Sequence, residues 1–147
     1  MKTNHLVLFS ILFLFAFAGV SLAETKEGTC QLKTGYVSAV SVEVGQSVKG
    51  TCKFYIDDFF GKKIINANIE VKNTAQKPMF FQYNVAFFDK DGHLIGSASQ
   101  GLSGDSGLEP GKTTQTGSCL IPLPAGKHEE VASYKIAYYE SETQIGK

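Results

Sequence analysis

The stretch KKIINANIEVKN, residues 62–73, followed after a short break by MFFQYNVAFFD, residues 79–89, decides the fold class. In the first, Ile65, Ala67, Ile69 and Val71 alternate with Asn66, Asn68, Glu70 and Lys72, the period of two of a half-buried β-strand. In the second, Phe81, Tyr83, Val85 and Phe87 fall on one face. Between them Asn73-Thr74-Ala75-Gln76-Lys77-Pro78 reads as a polar turn closed by a proline. The run ends at Asp89-Lys90-Asp91-Gly92, a hairpin turn in which glycine supplies the positive φ.

The same period extends outward in both directions. Upstream, Tyr36–Val44 places Val40, Val42 and Val44 in phase, and Thr51–Ile56 does so with Cys52, Phe54 and Ile56 before a turn-like Asp57–Gly61 segment. Downstream come His93–Gln100, with Leu94, Gly96 and Ala98 on one side, then residues 112–123 with Cys119, Ile121 and Leu123, and finally residues 133–141 with Tyr134, Ile136 and Tyr138. Before the sixth run, Leu108-Glu109-Pro110-Gly111 suits a type II turn, proline presetting φ and glycine tolerating its reversal. Short strands separated by turn signals predict an all-β chain, an immunoglobulin-like antiparallel β-sandwich of about seven strands. The ends, Glu24–Thr29 and Glu142–Lys147, read as frayed tails.

The N-terminus sets the compartment. Lys2, an apolar run from Leu6 to Val20, and small residues at Ser21 and Ala23 make a secretory signal peptide, residues 1–23, with cleavage expected after Ala23. The run is too short for a transmembrane helix, and no later segment replaces it, so no membrane insertion is expected after cleavage. Residues 24–147 should form a single domain, periplasmic or secreted. Its thirteen lysines face fourteen acids, and no arginine occurs anywhere in the chain. That balance argues against nucleic acid as a partner, and the missing guanidinium removes bidentate phosphate clamps. Cys30, Cys52 and Cys119 all fall in the exported part, where Cys30 with Cys52 is the expected disulfide and Cys52 with Cys119 its rival.

From about residue 62 to 140 the chain resembles the FxLYD family of bacterial exported domains. The residues that carry the resemblance are Val71-Lys72-Asn73, Val85-Ala86-Phe87-Phe88-Asp89, Gly92, and Leu108-Glu109-Pro110-Gly111. Here Val85 stands for the family's first Phe, Phe87 for its Leu and Phe88 for its Tyr. The resemblance implies an immunoglobulin-like fold and carries no catalytic residues.

Several motifs suggest chemistry. Gly104-Asp105-Ser106-Gly107 has the letters around a serine nucleophile, but a triad needs a histidine and an orienting acid. His93 and His128 sit in no such context, so a flexible loop is the better reading. Asp89-Lys90-Asp91-Gly92 hints at a calcium loop yet lacks a third acid and the late bidentate glutamate, which favours a hairpin. The two histidines read as solvated turn residues, and no cofactor or metal is implied.

The aromatic doublets carry the one binding signal. If Phe81, Phe87 and Tyr138 point inward, then Phe80, Phe88 and Tyr139 point outward and form an exposed aromatic patch for a partner. The expectation is therefore a non-enzymatic exported domain, a protein-binding or accessory module of the bacterial cell envelope, whose partner is an envelope or extracellular protein. The alternatives are a homodimer joined through an exposed edge strand and a small serine hydrolase using Ser106.

Overall fold

The computed structural model describes residues 21–102, 106–116, 119–123 and 126–145. Nine strands form among them: β1 (Ser21–Thr29), β2 (Val40–Val44), β3 (Val48–Phe59), β4 (Lys62–Asn73), β5 (Phe80–Phe88), β6 (Leu94–Gly101), β7 (Thr113–Gln115), β8 (Cys119–Pro122) and β9 (Ser133–Ser141). They build a β-sandwich. One sheet runs β1-β9-β5-β6; the other runs β2-β3-β4-β7, with β8 pairing further along the same edge of β4.

The inward phase of each strand supplies the core. Cys52, Phe54 and Ile56 of β3, Ile65, Ala67, Ile69 and Val71 of β4, Phe81, Tyr83, Val85 and Phe87 of β5, and Ile136 and Tyr138 of β9 belong to one buried cluster. Phe54 joins the sheets, with ring centroids 5.2 Å from Phe87 and 5.0 Å from Tyr134. Two buried hydroxyls cross between sheets as well: Tyr83 donates to the Ala67 carbonyl at 3.2 Å and Tyr138 to that of Val48 at 2.7 Å. Burying each ring is worth about 1.5–3 kcal/mol, and each hydroxyl needs its acceptor once water is gone.

Crossing of the chain from β4 to β5, from β6 to β7 and from β8 to β9 makes the non-consecutive pairs of a Greek key. β7 pairs with Glu70–Lys72 and β8 with Ile64–Ala67 of the same strand, so together they are the expected sixth strand, interrupted. Counted that way the sandwich has eight strands, one more than the sequence predicts. The extra one is β1. Residues 24–29 are no frayed tail: β1 pairs with β9 from Ser21↔Ser141 to Thr29↔Ser133, beside the strand where immunoglobulin domains place their last strand. At the other end, Glu142 pairs with Lys77, and Thr143 donates its amide to the Ser141 hydroxyl.

Other expectations need correction. Tyr36–Ser38 forms a 3₁₀ turn, and β2 starts only at Val40. Asp57 and Asp58 lie within β3, and the turn is the two residues Phe60 and Gly61, with φ of 51° and 75°. Asn66 and Asn68 are buried rather than solvent-facing, because β4 is central and flanked on both edges. The predicted proline-glycine turn is present: Lys112 donates to the Glu109 carbonyl and Gly111 has φ 75°.

Candidate functional site

The aromatic patch does not assemble as expected. Phe80, Phe88 and Tyr139 share the outer face of their sheet by register, but only Tyr139, 40 % exposed, is open to solvent. Phe80 is 6 % exposed. The segment after Ser106 folds over it, fastened by a two-way backbone bridge between Met79 and Leu108; a Cβ on Gly107 would stand 3.3 Å from the Phe80 ring. Phe88 is half-buried at the far end of β5, in register with Ser133, whereas Tyr139 is in register with Gln82. Six residues of strand, about 20 Å, separate the two. Asn84, Ala86, Lys135 and Ala137 lie on the face between them.

Ser106 is exposed, and Ser103–Asp105 lie outside the described residues. Both histidines stand at the opposite end of the sandwich: His93 follows the β5–β6 turn, and β6 runs its full length before the chain reaches Ser106; His128 lies in the 3₁₀ turn that leads into β9. No base reaches the serine from either. The Asp89 hairpin is a self-contained turn. Asp89 Oδ1 accepts the Asp91 and His93 amides at 2.9 Å each, and Oδ2 lies 3.2 Å from His93 Nδ1. The His93 amide is the main reason this carboxyl sits below its ordinary range. Asp89, Asp91 and His93 offer donor atoms within 4.8 Å of one another, a spacing the turn itself produces.

The expected Cys30–Cys52 disulfide does not form. Cys52 faces the core from β3, while Cys30 follows β1 in the other sheet and donates its amide to the Ala132 carbonyl. Burial pushes the Cys30 thiol up to about 11. The rival pairing fails on backbone geometry: Cys52 and Cys119 lie across opposite edges of β4. Two strand spacings, about 9.5 Å, exceed the span a disulfide bridges.

A different aromatic pair stands clear of the body. Phe59 ends β3 and Phe60 occupies the first turn position, 49 % and 90 % exposed, with ring centroids 4.7 Å apart and edge to face. Both turn residues have positive φ, as in a type I′ hairpin. The base of the turn is held: Asp58 accepts the Gly61 amide and the Lys63 ammonium, each at 2.9 Å. Lys63, then its Coulomb field and the Gly61 amide, lowers the Asp58 carboxyl below its usual range. Asp57 is tied to the Asp58 amide and, at 3.4 Å, to Asn66. A rigid base thus presents two phenylalanines beside an open recess of about 400 Å³ lined by Lys62, Lys63, Leu123 and His128. The sequence signal was Phe59-Phe60-Gly61 between two acids and two lysines, which resembles loop composition.

No family model matches the chain, and no curated protein matches it. Among solved structures the chain is similar to one described as the structure of infectious bursal disease virus Gx strain, at 12 % identity and a TM-score of 0.39. The likeness covers 87 % of this chain and 28 % of the viral one.

Proposed function

We propose that the chain is an exported, non-enzymatic β-sandwich that serves as a protein-binding or accessory module of the bacterial cell envelope, with the Phe59–Phe60 tip as its contact. The observation that carries this reading is Phe60 itself, a bulky residue at φ 51° and 90 % exposed. Left-handed backbone costs a non-glycine residue about 1–2 kcal/mol, and asparagine or aspartate is the residue such a turn prefers. Strain of that kind persists where function uses it, and aromatic side chains are enriched at protein interfaces. The signal-like leader supports export, and the FxLYD-like motifs support the bacterial envelope setting. The homodimer reading has less support. Inward-facing Glu24 and Lys26 put charge on the β1 edge, a feature that discourages edge-to-edge pairing.

The test is a double variant, Phe59→Ser with Phe60→Asn. It should melt no lower than the native chain, because Asn-Gly suits the turn, yet lose at least tenfold in capture of its partner from envelope extracts. Undiminished capture by a folded variant contradicts the assignment of the tip.

A further inference from the structure

Glu140 lies on β9 and is 2 % exposed, turned into the sandwich at the β2–β3 turn. Its Oε1 accepts the Gln46 amide at 2.5 Å and its Oε2 the Ser47 amide at 2.9 Å. Glu24 reaches the same turn from β1, accepting the Gly45 amide at 2.8 Å. A Cβ on Gly45 would stand 2.8 Å from Glu140 Oε1, so both carboxyl groups converge on this one glycine. Among the described residues one cation serves them. Lys26 pairs with Glu24 at 2.6 Å, and among the described residues no ion pair reaches Glu140. Lys77 lines the same recess but is engaged by Glu142. A buried carboxylate that lacks a counter-charge is costly, and amide donors offset only part of that cost.

The expected cleavage point, Ala23–Glu24, falls inside β1. The residues it removes, Ser21, Leu22 and Ala23, pair with Ser141, Glu140 and Tyr139, and Leu22 lines the recess over Glu140. We propose that leader removal completes this charge cluster: the new α-ammonium of Glu24 moves into the space Leu22 leaves and becomes the counter-ion of Glu140. The inference rests on the export reading above. Hydrolysis of the Ala23–Glu24 amide consumes one water, leaves a carboxylate on Ala23 and frees the Glu24 amine, which is protonated at neutral pH because such groups titrate near 7.7–8.0. The charged and titratable groups around that recess are Glu24 with its partner Lys26 from β1, Tyr138 in register with Glu24, Glu140 and Glu142 from the β9 side, and Lys77 from the β4–β5 connection. The precursor therefore folds less stably than the processed chain, which keeps it competent for export.

The experiment compares the processed chain from its host, its start checked by intact mass, with a chain beginning at Ser21, each in the native and Glu140→Gln backgrounds. In the native background the processed chain should melt higher by roughly 3 °C or more despite its shorter β1; with Glu140→Gln that advantage should vanish. Equal or lower melting of the processed native chain overturns the proposal. If Glu140→Gln does not fold, an NMR titration of the Glu24 α-amine decides: a midpoint raised above the ordinary range supports the pair, and an unshifted or lowered one overturns it. A start at Glu24 without added stability rejects the cluster and leaves export standing. An uncleaved chain retained inside the cell rejects both.

Discussion

Asn73 has no exposed surface, yet each of its polar groups finds a partner. Its side-chain amide donates to the Lys77 and Leu108 carbonyls at 2.8 and 2.6 Å, and its Oδ1 accepts the Ala75 amide at 2.8 Å. Its backbone exchanges hydrogen bonds with Lys112 and Gly111. One residue thus fastens the turn after β4 to the proline-glycine turn before β7. Asn73→Ala strips the Ala75 amide and the Lys77 carbonyl of their partner, leaves the Leu108 carbonyl with the Met79 amide alone, and should cost about 1–3 kcal/mol, read as a lowered urea midpoint; an unchanged midpoint contradicts that role. Phe60 is the converse case, a side chain held in costly backbone where no packing requires it.

β1 is the element that changes the reading of the chain. Its inward positions are Leu22, Glu24, Lys26 and Gly28, so no hydrophobic alternation marks it. Its partner β9, with Tyr134, Ile136 and Tyr138, has a strong period of two and was legible, as were β3 to β6. The turn at Phe60-Gly61 reads too broadly in the sequence, from Asp57 to Gly61, because Asp57-Asp58 suggests a loop, while cross-strand ties to Asn66 and Lys63 keep both aspartates in register. The outward phase of Phe80, Phe88 and Tyr139 followed from alternation alone. The cover over Phe80 did not, since it comes from a segment nearly thirty residues later. A chain begun at Gln31 loses β1 and bares the β9 edge. It should unfold at clearly lower urea and self-associate in light scattering; a monomer of native stability contradicts the structural role of β1.

At the scale of the whole molecule the two ends of the sandwich differ in character. Glu140 meets Gln46 and Ser47, so the end of β9 lies at the β2–β3 turn, and the Phe60 hairpin, the Asp89–His93 turn and the Lys127–Glu130 turn gather at the other end. One end is tied by buried polar contacts. The other combines a protruding aromatic tip with a groove lined by Asp89, Asp91, Glu129 and Glu130. Loops grouped on a rigid scaffold are where binding residues concentrate. The most direct measurement replaces Phe60, in one chain, and Tyr139, in another, with a photo-crosslinking residue in the native host. A discrete crosslinked envelope protein from position 60 and none from position 139 is the expected result; crosslinking from position 139 alone, or equal nonspecific yield from both, contradicts the placement of the contact at the hairpin tip.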